Sequence, residues 1–142
     1  MKSIEEIQQN IIEEFNRCGD GFDQYEHLIK NAANLRPFTA EDRKLARIVQ
    51  GCQSSVWITI SCADGVFDFS GYSHSAIING LIALLQELFC GQALEDVAKA
   101  EITFLHDTSI LDNFESERAK GVQYMIRMLQ EEAAAGINKN TP

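Results

Sequence analysis

The sequence predicts an α+β domain in which a small antiparallel β-sheet is covered by helices. Three observations carry that prediction. Near the start, Ile4, Ile7, Ile11 and Phe15 recur at helical spacing; the period then falls to two at Val56, Ile58 and Ile60; and from Ser75 to Phe89 apolar residues cover most faces of a helical segment. Read in order, the elements run α-α-β-β-α-α over one expected domain spanning residues 1–142.

Each element has a local reason. Ser3 and Glu6 have the spacing of a capping box, which satisfies exposed amides in the first helical turn. Cys18-Gly19-Asp20 ends that helix and starts another, because Gly suits the residue past a helix end and Asp caps a new start. The second helix carries Phe22, Tyr25, Leu28 or Ile29, and Ala32, and Arg36-Pro37 closes it. Thr39 to Lys44 reads as a turn or a short helix begun by Thr39. Val56–Ile60 alternates as a strand, Ala63-Asp64-Gly65 is a turn, and Val66–Ser70 is a second strand with Phe67 and Phe69 on one side. Ile48-Val49-Gln50 is a candidate short strand before Gly51. The helix from Ser75 to Phe89 is central and buried, and Gly91 ends it. Leu94 and Val97 mark a short helix, and Glu115 to about Ala135 a long one with Val122, Met125, Ile126 and Leu129 inward. Residues 137–142 carry no packing pattern and are expected to fray.

Composition narrows the function classes. Hydrophobic residues make up 45% and charged residues 23%, which is ordinary for a folded domain. The net charge of -9 disfavours nucleic acid or an anionic membrane as the main partner, since both need a cationic face. The longest apolar stretch, residues 76–89, is interrupted by Asn79, Gln86 and Glu87 and is too short to span a bilayer. The first residues run straight into the amphipathic pattern with no apolar signal core, so the expected location is cytoplasmic. A homodimer is compatible with all of this.

Four cysteines without a signal segment point to free thiols, and no pair has Cys-x-x-Cys spacing. Cys18 extends the first helical stripe, Cys62 sits at the turn end of a strand, and Cys90 finishes an apolar helix. Cys52 differs: it follows Gly51 and is flanked by Gln53, Ser54 and Ser55, a setting that presents a thiol near solvent. Arg43, Lys44 and Arg47 lie upstream, and a cation close in space favours thiolate. On pattern alone a partly buried structural thiol fits Cys52 equally well.

The segment Ile48-Val49-Gln50-Gly51-Cys52-Gln53-Ser54-Ser55-Val56-Trp57 resembles the signature of the SufE family, the sulfur acceptors of cysteine desulfurases. The likeness continues through Gly71-Tyr72-Ser73-His74-Ser75-Ala76-Ile77-Ile78-Asn79-Gly80-Leu81 and resumes at Arg118-Ala119-Lys120-Gly121-Val122, collinear over about Ile4 to Ala135. Tyr72 and His74 stand where many members carry acidic residues, and Lys120 and Val122 vary the last motif mildly.

The resemblance implies a SufE/IscU-like α+β fold, shared with iron–sulfur scaffold proteins. It implies Cys52 as the persulfide acceptor, with Gly51, Gln53, Ser54, His74 and Arg118 as supporting residues. It implies a desulfurase of the SufS type and a downstream iron–sulfur scaffold as partners. The expected role is that of an accessory sulfur carrier and desulfurase activator with no cofactor of its own, the pyridoxal phosphate (PLP) belonging to the desulfurase. Arg118 has a plainer reading as a helix-start residue paired with Glu115 or Glu117.

Other functions compete with this one. An iron–sulfur or zinc scaffold of the same fold would draw on Cys18, Cys52 and His106, but Asp107 rather than a cysteine follows His106, and such a site usually needs three thiolates or a comparable set. A non-catalytic desulfurase-binding module would stimulate its partner without carrying sulfur. A cysteine hydrolase would need His27, His74 or His106 as a base beside Cys52.

Overall fold

The computed structural model describes residues 1–49 and 55–139. Helix α1 (Ile4–Arg17) opens on the expected capping box, the Glu6 amide donating to Ser3 Oγ over 3.1 Å and the Ser3 amide to Glu6 Oε1 over 3.3 Å. Asp20 caps α2 (Gly21–Asn31) by accepting from the amides of Phe22 and Asp23. A single 3-10 turn, Ala32–Asn34, follows. Thr39 then starts the short helix α3 (Ala40–Leu45) with a capping box of its own.

The sheet has three antiparallel strands in the order β1 (Arg47–Val49), β2 (Val56–Ser61), β3 (Asp68–Ser73). Val49 pairs with Val56, and Val56 with Ser73, so these three residues share one end of the sheet. Of the candidate strand at Ile48-Val49-Gln50, the first two residues are in β1 and Gln50 lies outside the described residues. The turn between β2 and β3 falls at Ala63–Gly65, where Asp64 adopts a φ of 59°.

Strand β3 starts two residues later than the alternation at Val66 suggests, and it runs on to Ser73. The cause is a competing partner: the Phe67 amide donates to Gln92 O (2.9 Å) and the Gly91 amide donates to Phe67 O (2.9 Å), so this stretch pairs with the chain beyond the next helix. Phe67 and Phe69 are both buried, as the pattern requires.

Helix α4 (Ala76–Phe89) is the centre of the core, with Ile78, Leu81, Ile82, Leu85, Leu88 and Phe89 all fully enclosed. It packs against α2 and β3. The approach to α2 is close enough that a Cβ on Gly80 would collide with the Leu28 carbonyl, while Asn31 Nδ2 donates to Gly80 O over 3.0 Å. After α5 (Leu94–Lys99) and a 3-10 turn at Ile110–Asn113, helix α6 (Ser116–Lys139) closes the fold against α5 and the β1–β2 side of the sheet.

Two expectations need correction. Phe22 is assigned to the inward face of α2, yet it is 74% exposed. The inward face is set instead by Gln24 and Leu28, and at 100° per residue position 22 points away from both. Gln24 holds that rotation by accepting from the Ser109 amide (2.7 Å) and donating to Gly19 O (2.9 Å). The frayed tail expected over residues 137–142 is also shorter than that, since α6 continues to Lys139. Ile137 packs on the core, and Gly136 lets Cys62 in so closely that a Cβ there would lie 2.7 Å from its sulfur. Residues 140–142 lie outside the described residues.

The contact at Gly80 gives a stability test. Because a backbone carbonyl cannot swing aside as a side chain can, Gly80→Ala is expected to cost at least about 2 kcal/mol in denaturant unfolding. Unchanged stability would contradict the α2–α4 packing.

Candidate functional site

The residues that support the sheet end where Val49 pairs with Val56 explain much of the second motif. Ser73, the last residue of β3, is fully buried, and Asn79 on the first turns of α4 takes both of its backbone groups. The Ser73 amide donates to Asn79 Oδ1 (2.8 Å), and Asn79 Nδ2 donates to Ser73 O (2.8 Å). The Ser75 amide donates to Ser73 Oγ (3.2 Å), and Ser75 Oγ in turn caps α4 by accepting from Ile78 (3.4 Å). Each orphaned backbone group in such a place would cost about 1–3 kcal/mol, so this junction holds the strand end to the core helix.

On the outer face of the same end, Ile48, Trp57 and Tyr72 lie side by side across the three strands. His74 meets Trp57 with ring centroids 5.2 Å apart and Tyr72 at 5.8 Å. Phe38, on the chain just before α3, stacks on Tyr72 at 6.0 Å, and the Arg43 guanidinium stands 5.9 Å from the centre of the Tyr72 ring. Together Phe38, Arg43, Trp57, Tyr72 and His74 line a cleft of about 230 Å³.

The candidate residues Gly51, Cys52, Gln53 and Ser54 lie outside the described residues. Their flanks are placed: the chain leaves β1 at Val49 and re-enters β2 at Val56, and those residues are paired. His74 is placed beside Trp57 and exposed. Arg118 is half-buried on the first turn of α6, and its Nε is enclosed with no hydrogen-bond acceptor among the described residues. Glu117 pairs with Lys120 (3.7 Å) rather than with Arg118. Helix α6 sets Gly136 against Cys62 and Glu132 against Arg47, which pairs with Ile58. Its direction toward Ser116 is therefore from the Cys62 end of β2 toward the Val56 end.

The three described cysteines share one electrostatic character. Burial pushes the Cys18 thiol up, and Glu14 and Asp23 add to the effect. Burial also raises Cys62, with Glu132 as a further cause. Cys90 is the extreme case, pushed up to about 12 by burial even though its sulfur accepts from Arg36 Nη2 over 3.2 Å. In all three the shift is away from the thiolate, the direction that burial imposes and the opposite of what activates a nucleophilic cysteine.

The other candidate residues do not gather into a second site. Cys18 points its sulfur at Glu14 O (3.4 Å), and the His106 side chain is 94% exposed beside Asp107. His27 sits 2.6 Å from Glu14 with its ring against Phe15. Among the described residues no cluster of three His, Cys, Asp or Glu side chains is arranged to hold a metal, and no helix is long and apolar enough to cross a membrane.

The family profile described as "SufE: Fe-S metabolism associated domain" matches residues 9–133. The chain belongs to the SufE family. That membership gives it a role in Fe–S metabolism. The fold is also similar to the solution structure of a hypothetical protein from Thermus thermophilus, with a TM-score of 0.76 at 16% identity, over 93% of this chain and 96% of the other. At that identity the likeness speaks for the fold, an α+β arrangement of helices around a small three-stranded antiparallel sheet.

Sequence reasoning names Cys52, His74 and Arg118 as candidates and misses the cleft of Phe38, Arg43, Trp57, Tyr72 and His74 as a unit. The signal is the alternation itself, which puts Ile48, Trp57 and Tyr72 outward once Val49, Val56 and Ser73 are inward. In a Cys52→Ser background, alkylation by iodoacetamide near neutral pH is expected to be slow at Cys18 and Cys62 and slowest at Cys90, each rate rising with pH. Rapid neutral-pH labelling of Cys90 in the folded protein would contradict its desolvation.

Proposed function

We propose that this SufE-family protein takes sulfane sulfur from a PLP-dependent cysteine desulfurase of the SufS type onto Cys52 and passes it to a downstream iron–sulfur scaffold. The observation that carries this reading is the state of the other thiols. Cys18, Cys62 and Cys90 are all raised by burial, which leaves the cysteine of the family motif as the candidate nucleophile.

The reaction balances as a thiol–disulfide exchange. The Cys52 thiolate attacks the outer sulfur of the desulfurase persulfide. A new S–S bond forms on Cys52 as the partner's S–S bond breaks, and the electron pair departs on the partner's thiolate. Sulfane sulfur moves at unchanged oxidation level, so no oxidant or reductant is consumed. Delivery to the scaffold repeats the step with Cys52 as the leaving group. The protein acts as an accessory carrier and activator in the cytoplasm, with PLP on the partner.

Within this reading Gly51, Gln53 and Ser54 frame the nucleophile, and His74 neighbours the sheet end that carries its flanks. Arg118, half-buried at the start of α6 with no acceptor for its enclosed Nε among the described residues, is the supporting cation of this reading.

Incubation with a desulfurase and free cysteine, followed by intact-mass and peptide mass spectrometry with and without reductant, tests the reading. Reductant-labile added sulfur is expected on Cys52, and Cys52→Ser is expected to abolish it together with carrier function. Equal labelling of all four cysteines, or undiminished transfer by Cys52→Ser, would overturn the proposal. Stimulation of the desulfurase that survives Cys52→Ser without sulfur uptake would identify a binding module instead.

A further inference from the structure

The cleft between α3 and the outer face of the sheet has a composition that packing alone does not require. Among the described residues that line it, Phe38, Trp57, Tyr72 and His74 contribute aromatic or imidazole rings, and Arg43 contributes a guanidinium. Among the described residues no carboxylate pairs with Arg43; its charge rests over the Tyr72 ring. We propose that this cleft binds a small organic carboxylate with a single ring or a short apolar chain, its carboxylate on Arg43 and its body against the rings of Trp57, Tyr72 and His74.

Three physical arguments select that ligand. An aromatic cage without internal charge favours a cation, but here Arg43 already occupies the negative face of Tyr72 and repels a second positive charge. A guanidinium matches a carboxylate through two parallel N–H donors, and the ring faces of Phe38, Trp57 and Tyr72 suit an acid with an apolar body better than a fully polar anion such as phosphate. The volume of about 230 Å³ is below the roughly 300–1,000 Å³ of sites for drug-sized ligands, so the ligand is small. The inference goes beyond the sulfur-transfer reading and does not depend on it. The cleft lies close to the motif cysteine's flanks, since His74 directly follows Ser73, the partner of Val56 at the sheet end flanking Cys52.

The chain contains a single tryptophan, and Trp57 lines the cleft, so its fluorescence reports occupancy directly. The experiment titrates the full-length Cys52→Ser protein with benzoate, benzyl alcohol and benzylamine, exciting at the red edge of the indole band. Benzoate is expected to give a saturable change, with benzyl alcohol and benzylamine at least about tenfold weaker. Arg43→Gln is expected to weaken benzoate at least about tenfold, Arg43→Lys to fall between, and Lys44→Gln, outside the lining, to match the parent. Circular dichroism checks that each variant is folded. A non-saturating response, equal binding of benzyl alcohol, or benzoate affinity unchanged in folded Arg43→Gln would overturn the proposal. Because Cys52 is absent throughout, failure here is separate from failure of sulfur transfer.

Discussion

The double hydrogen bond between Asn79 and Ser73 is the constraint on which the candidate site depends. Helix α4 is so thoroughly apolar that it must lie at the centre of the molecule, and the strand leading into it must then end in a region without water. Both backbone groups of Ser73 would be stranded there if the amide of Asn79 did not take them. With β3 fastened, the pairing of Val56 to Ser73 fixes the start of β2, and the pairing of Val49 to Val56 fixes the end of β1. The two flanks of Cys52 are thus anchored to the core through a chain of backbone bonds.

The same logic recurs in the buried glutamines. Gln8 accepts from the amides of Thr103 and Phe104 and donates to Glu101 O, tying α1 to the loop after α5. Gln86 bonds the Arg36 amide and Phe69 O, and Gln92 bonds Lys2 O. Each supplies a partner to backbone that no helix or strand satisfies, which lets long connections lie against the core.

Those glutamines also mark where sequence reading stops. Helices α1, α3 and α4 are legible because Ser3, Thr39 and Ser75 are local caps and because apolar spacing is a local signal. Strand β2 is legible for the same reason. Phe22 misleads because the rotation of α2 is decided by Gln24 reaching Ser109, 85 residues away, and a polar residue on an inward face carries no periodic signature. The tail misleads because residues 137–142 carry no packing pattern, whereas the missing side chain of Gly136 makes room for Cys62 and α6 runs on to Lys139. For the site, the motif points to Cys52, but the grouping of Phe38 and Arg43 with Trp57, Tyr72 and His74 needs strand register and the placement of α3, and neither is local.

The chemistry rests on a contrast among thiols. Burial raises the thiols of Cys18, Cys62 and Cys90, and the proposed reaction assigns the work to the fourth cysteine, Cys52. The most direct measurement is single-turnover transfer of radiolabelled sulfur from a persulfide-loaded desulfurase to a variant with Cys18, Cys62 and Cys90 replaced by Ala or Val. The account predicts that this protein, with Cys52 alone, accepts one sulfur atom at close to the wild-type rate. A folded variant that accepts none, or label lodged mainly on Cys18, Cys62 or Cys90 of the wild-type chain, would contradict it.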